Sequence, residues 1–261
     1  MGDTTARARQ PQSWGQMADL PRPLAFVLSG GAASGATQVG MLAALRDAGV
    51  VPDLIVGTSV GAINGVMAAA CPAAGPDQLA EVWRQIDRDE ILGSSSLRCL
   101  PRLVRTRRHL FPPDALRDLI RRNIPVRCFD ALSVRFAAVA TEVTNGAPAS
   151  LASGNLEDAL LASAAIPGVF PRVQIDGQWF FDGGVTANVP VAQAIELGAR
   201  SVLVLNSAPP ATPRDLPTNI AETMQYVASL LMRNQTSATA GHLAHGGPVV
   251  ELPRTSPHGL G

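Results

Sequence analysis

Apolar residues in this chain fall into short unbroken runs, each followed by small residues and then by helical spacing. Leu24–Leu28 (LAFVL) is one such run and Leu54-Ile55-Val56 is another. Each has the length of a strand buried on both faces. After the first, residues 36–48 show helical spacing and stop at Gly49, a residue suited to the position just past a helix. After the second, Val60–Ala70 reads as a helix. Strand, helix, strand, helix at this spacing predicts parallel strands joined by right-handed crossovers.

Farther along, residues 77–123 are helical in pattern. Leu79, Val82, Trp83 and Ile86 make one apolar face, and Ala115, Leu116, Leu119 and Ile120 make another. Residues 134–140 read as a strand, and residues 156–165 as a helix that stops before Pro167. Val173-Gln174-Ile175 and Trp179-Phe180-Phe181 flank Asp176-Gly177, a hairpin signal. A helix over 189–197, a strand over 201–206, a long helix over 219–235 and a strand over 249–252 complete the pattern. The expected fold class is α/β with one domain over residues 24–252. Residues 1–23, rich in Gln, Pro and Arg, are expected to form a disordered arm, and residues 253–261 a flexible tail.

Composition narrows the chemistry. The 261 residues suffice for a full core without disulfides or metals. The formal net charge is zero, so no global field recruits nucleic acid. Every residue in the Lys+Arg count is arginine. The lack of lysine excludes a P-loop lysine, a Schiff-base lysine and a Ser-Lys pair. Cys71, Cys99 and Cys128 are odd in number and scattered, which suggests reduced thiols in a cytoplasmic protein. No apolar stretch follows Arg7 and Arg9, so a signal peptide is not expected, and Gly2 lacks the hydroxyl residue of a myristoylation signal. No run approaches ~18 apolar residues, the length of a membrane span. Histidines and cysteines lack metal-ligand spacing, so no metal or other cofactor is expected.

Three segments carry candidate chemistry. Gly30-Gly31-Ala32-Ala33-Ser34-Gly35 follows the first strand and opens a helix, where small residues let backbone N–H groups approach an anion. A dinucleotide-binding reading would use Asp53 as the ribose acid, but Asp53 precedes its strand and the glycine spacing departs from Gly-x-Gly-x-x-Gly. Gly57-Thr58-Ser59-Val60-Gly61 is a Gly-x-Ser-x-Gly turn with a strand before it and a helix after it, a context that presents Ser59 as a nucleophile. Asp182-Gly183-Gly184 places a carboxylate at the end of an apolar strand, although Asp-Gly is also a common turn pair.

At these residues the chain resembles the patatin-like phospholipases, or lipid acyl hydrolases. That family carries a Gly-rich loop, a Gly-x-Ser-x-Gly elbow soon after and a later Asp-Gly-Gly/Ala. Gln38-Val39-Gly40-Met41-Leu42 and the stretch from Ser163 through Pro167 to Pro171 also look familial, so the similarity runs over residues 24–205. The resemblance implies a three-layer α/β/α fold with a central, mostly parallel sheet. It also implies hydrolysis of lipid carboxylic esters by a Ser59-Asp182 dyad without histidine. Gly57 and Gly61 would shape the elbow. Gly30, Gly31, Ala32, Gly35 and Val60 would form the oxyanion hole. The chain departs from the family at Ser34, where an Arg or Lys is usual.

Two other readings stand beside the dyad. A Ser-Asp-His triad would recruit His242 or His245. A catalytically silent lipid-binding protein would keep the fold alone. Arg98, Arg102, Arg105, Arg107, Arg108 and His109 are interleaved with leucines. They read as a solvated helix face, with a lid or a peripheral membrane contact as the functional alternative. The expected partner is a lipid or ester substrate, not nucleic acid. The ester class and the oligomeric state are left open by these patterns.

Overall fold

The computed structural model describes residues 17–85, 114–207 and 247–252. The two apolar runs become β1 (Leu24–Leu28) and β2 (Leu54–Thr58), buried along their whole length. The other strands are β3 (Arg135–Glu142), β4 (Pro148–Leu151), β5 (Val173–Ile175), β6 (Gln178–Asp182), β7 (Ser201–Leu205) and β8 (Val249–Glu251). The helices are α1 (Ala36–Asp47), α2 (Val60–Ala70), α3 (Gly75–Gln85), α4 (Asp114–Asn123), α5 (Leu156–Ser163) and α6 (Val191–Glu196).

Strands β3, β2, β1, β7 and β8 lie side by side in that order, every neighbouring pair parallel. Alternation along β1 sorts the core into two faces. Leu24, Phe26 and Leu28 join the larger cluster with residues of α1 through α5, while Ala25 and Val27 face Val191 and Ala194 of α6. Helices therefore cover both faces of a mostly parallel sheet, in the expected three layers. The hairpin turns at Asp176 (φ 49°) and Gly177 (φ 83°), two consecutive left-handed residues as a tight two-residue loop requires.

Some elements differ from the sequence pattern. Strand β4, antiparallel to β3, has no signal in the pattern because it is short, starts with Pro148 and is at most half-buried. The helical pattern over 77–123 resolves into α3 and α4, with residues 86–113 outside the described residues. The expected helix over 219–235 and the arginine-rich segment lie outside them too. The expected arm begins to pack sooner than residue 24. Met17 is buried in the main cluster, and Leu20 packs against it.

Strand β3 brings the chemistry together. Its Val139 pairs with Thr58 of β2 on one edge and Ser150 of β4 on the other, and its Ala140 pairs with Ala149 of β4 and Asp182 of β6. Strands β2 and β6 therefore share one edge of β3. Because β2 runs parallel to β3 and β6 antiparallel, their C-terminal ends meet tip to tip. Ser59 and Asp182 converge at that junction.

Candidate active site

Ser59 is the residue between β2 and α2, with φ 56° and ψ −124°. A non-glycine residue in this left-handed region is strained and needs its surroundings to hold it. The surroundings are close-packed backbone. A Cβ on Gly57 would sit 2.6 Å from Ala62 Cα, and one on Gly61 would sit 2.5 Å from the Ser29 carbonyl oxygen. The Ser59 carbonyl accepts from Ala62 N (2.9 Å) and Ile63 N (3.2 Å), which opens α2 immediately after the serine. Its own N–H donates to Ser163 Oγ at 2.9 Å.

Asp182 ends β6 and is buried, at 1% exposure, while Ser59 retains 8%. Oδ1 accepts from Gly184 N at 2.7 Å, and the backbone N–H donates to Ala165 O at 2.9 Å. The Asp182 carbonyl accepts from Thr141 Oγ1 at 2.9 Å. Oδ2 is buried and has no hydrogen-bond partner among the described residues. Burial raises the carboxyl pKa from 3.8 to about 6, opposed by the Ser59 hydroxyl and the Gly184 N–H. The Ser59 hydroxyl thus acts on the carboxyl but does not close a well-formed bond to Oδ2, a looseness common in sites without substrate. A carboxylate titrating near 6 is a better base at neutral pH than one at its ordinary value.

The Gly-rich loop lies on the neighbouring strand end. Gly30 is against Ser59, since a Cβ there would lie 3.5 Å from Ser59 Cβ, and its N–H donates to Asn188 O at 3.0 Å. The Gly30 donor is therefore already engaged. Gly31 accepts from Ser34 N at 3.0 Å, and Ala32–Gly35 make a single 3-10 turn. Gly35 touches the start of α2, where a Cβ would meet Val60 Cγ2 at 2.5 Å. Val60 is the first helical residue of α2, so its N–H has no partner within the helix.

Buried amides fix this loop, and the sequence reading missed their role. Gln38, fully buried on α1, donates through Nε2 to Ser29 O (2.8 Å) and Leu205 O (3.0 Å). Asn64 on α2 donates through Nδ2 to Gln38 Oε1 (2.9 Å) and Gly35 O (3.0 Å). Trp83 Nε1 completes the chain by donating to Asn64 Oδ1 at 3.0 Å. Both ends of the loop, Ser29 and Gly35, are thus tied to side chains. The signal lay in the pattern: a glutamine and an asparagine stand among the buried faces of α1 and α2. Trp83, on the apolar face of its helix, also donates.

Asp53 stands at the other end of β2. Its Oδ2 accepts from Leu24 N (2.7 Å) and Arg22 Nη1 (2.8 Å), so it anchors the start of β1 and does not serve a ribose. His242 and His245, Cys99 and the Arg98 to His109 cluster lie outside the described residues. Among the described residues, no group of three or more His, Cys, Asp or Glu could hold a metal ion. No helix there is long and apolar enough to cross a membrane.

The family model for patatin-like phospholipases matches residues 26–195, well over half of the chain. The chain belongs to the patatin-like phospholipase family. Within it, the chain is 30% identical over 186 residues to patatin-like phospholipase domain-containing protein 6 of Mus musculus, covering 70% of this chain and 13% of that protein. It is also 30% identical over 201 residues to an uncharacterised NTE family protein of Mycobacterium bovis, covering 76% of this chain and 53% of the relative. The crystal structure of VipD from Legionella pneumophila shares the fold at a TM-score of 0.51 and 14% identity, covering 84% of this chain and 55% of that one. This patatin-like chain thus spans about half, or much less, of the length of these relatives.

Proposed function

We propose that this patatin-like protein is a serine lipid acyl hydrolase, of phospholipase A or esterase type, working through Ser59 and Asp182. The observation that carries the reading is the strained Ser59 set against a buried Asp182 whose Oδ2 is open as an acceptor. Ser59 Oγ attacks the ester carbonyl carbon while its proton passes to the Asp182 carboxylate. The tetrahedral oxyanion is held by N–H groups of Gly31 and Ala32, with Val60 N–H and the N-terminal end of α2 behind it. The intermediate collapses, the alcohol leaves with the proton from Asp182, and an acyl-serine ester remains. Water then attacks that ester, Asp182 takes the water's proton, and Ser59 regains it as the acid departs.

Ser34 does not remove this donor set, because the donors are backbone N–H groups. The odd, scattered set of Cys71, Cys99 and Cys128 supports a reducing, cytoplasmic setting. Phospholipid, lysophospholipid, neutral glyceride and short-chain ester are the substrates to test, with S59A as the blank. Hydrolysis of at least one lipid ester, lost about 1,000-fold or more in S59A, is expected. Equal rates in the wild type and a folded S59A would overturn the reading.

A further inference from the structure

Ser163 lies 104 positions from Ser59 and is fully buried at the end of α5. A serine near a helix end commonly bonds back to a carbonyl of its own helix. This one does not. Its Oγ accepts from Ser59 N at 2.9 Å and donates to Val139 O at 2.7 Å. Val139 is the β3 residue paired with Thr58, and the next residue, Ala140, is paired with Asp182. Two residues beyond Ser163, Ala165 O accepts the N–H of Asp182 at 2.9 Å.

We infer that Ser163 is a positioning residue that fixes the Ser59 hydroxyl relative to Asp182, the short segment 163–165 bracing both halves of the site. The inference rests on the hydrolase reading above. Left-handed Ser59 can turn toward other backbone wells unless its N–H is tethered, and the tether leads to β3, the strand against which Asp182 of β6 is paired. The same bond takes the Ser59 N–H out of the oxyanion-donor set, which leaves that duty to the loop and to Val60.

The brace has a kinetic signature, with its own pH dependence, that a merely structural serine would lack. The Ser59 hydroxyl and the Gly184 N–H are the groups that oppose the effect of burial on the Asp182 carboxyl, and no charged side chain contributes among the described residues. If Ser59 drifts, Asp182 loses one of these and becomes harder to ionise. The test is the rate of covalent labelling by a fluorophosphonate probe, mapped to the modified residue by mass spectrometry and followed from pH 4.5 to 9.

Relative to the wild type, S163A is expected to label Ser59 about tenfold or more slowly at its pH plateau, with the acid midpoint moved upward. S163T and S163V, matched in shape, separate hydroxyl from volume. The Thr variant should label at least fivefold faster than the Val variant. Label at the wild-type rate and midpoint in S163A, or equal rates in the Thr and Val variants, would overturn the brace alone. No label on wild-type Ser59 would overturn the hydrolase reading and the brace with it.

Discussion

The loop after β1 and the elbow after β2 are both strand-to-helix turns at the same end of neighbouring parallel strands, yet they are held in opposite ways. The elbow carries a strained Ser59 and, beside it, an Asp182 whose Oδ2 is buried without a partner. The loop is tied at Ser29 and Gly35 to the buried amides of Gln38 and Asn64, and the half-buried Trp83 indole N–H completes the chain. One turn stores unfavourable energy where bonds would be made and broken. The other is satisfied, as suits a set of donors that must not reorganise. Substitutions on the two sides should therefore change stability with opposite signs.

The largest effect is expected where the turns touch. Gly61 sits against the carbonyl of Ser29, and a Cβ there would strike backbone that cannot move aside. G61A should destabilise the protein by about 4 kcal/mol or more in denaturant titration, an exceptional value for one methyl group. Stability near that of the wild type would show that the turns are not locked together.

On the elbow side, D182N should stabilise. The Asp182 pKa is raised from 3.8 in its ordinary state to about 6 in the folded protein. Well below pH ~4 the group is protonated in native and unfolded chains alike. Between ~4 and ~6 the native state binds more protons, so stability falls as pH rises. Above ~7 the deficit is complete, about 3 kcal/mol at about 1.36 kcal/mol per pKa unit. D182N should thus be more stable than the wild type by that order at pH 8 and nearly equal at pH 4, while losing esterase activity. An advantage independent of pH would contradict the buried charge.

On the loop side, N64A should do the reverse. It strands Gly35 O, Gln38 Oε1 and Trp83 Nε1, and a stranded buried polar group costs about 1–3 kcal/mol. Water entering the space left by the amide offsets part of this, so a net loss of about 2 kcal/mol is expected in thermal or denaturant unfolding. A slower kcat with little change in KM should accompany it. A neutral N64A would mean that the loop holds its shape without the amide chain.

What the sequence made legible was local. The LAFVL run, the helix closed at Gly49, the elbow and the Asp-Gly hairpin each declare themselves within about a dozen residues, because turn chemistry and apolar periodicity act at that range. Ser59 and Asp182 were legible through motifs. Their meeting was not derivable locally, since it depends on β2 and β6 sharing one edge of β3. Ser163 was visible only as part of a familial stretch, because its partners are 104 and 24 positions away. Gln38 and Asn64 were legible as polar residues on apolar faces, but their partners were not. Strand β4 left no trace because half-exposed Pro148-Ala149-Ser150-Leu151 carries neither alternation nor an apolar run.

In the proposed mechanism Asp182, and not a histidine, serves Ser59 as the base. The pH dependence of kcat/KM for ester hydrolysis, measured in the wild type and in H242A/H245A, tests it most directly. With Asp182 as the base, the rate should rise through one inflection near pH 6, and the profile should be unchanged in the double histidine variant. Loss of activity in that variant while it remains folded would contradict it.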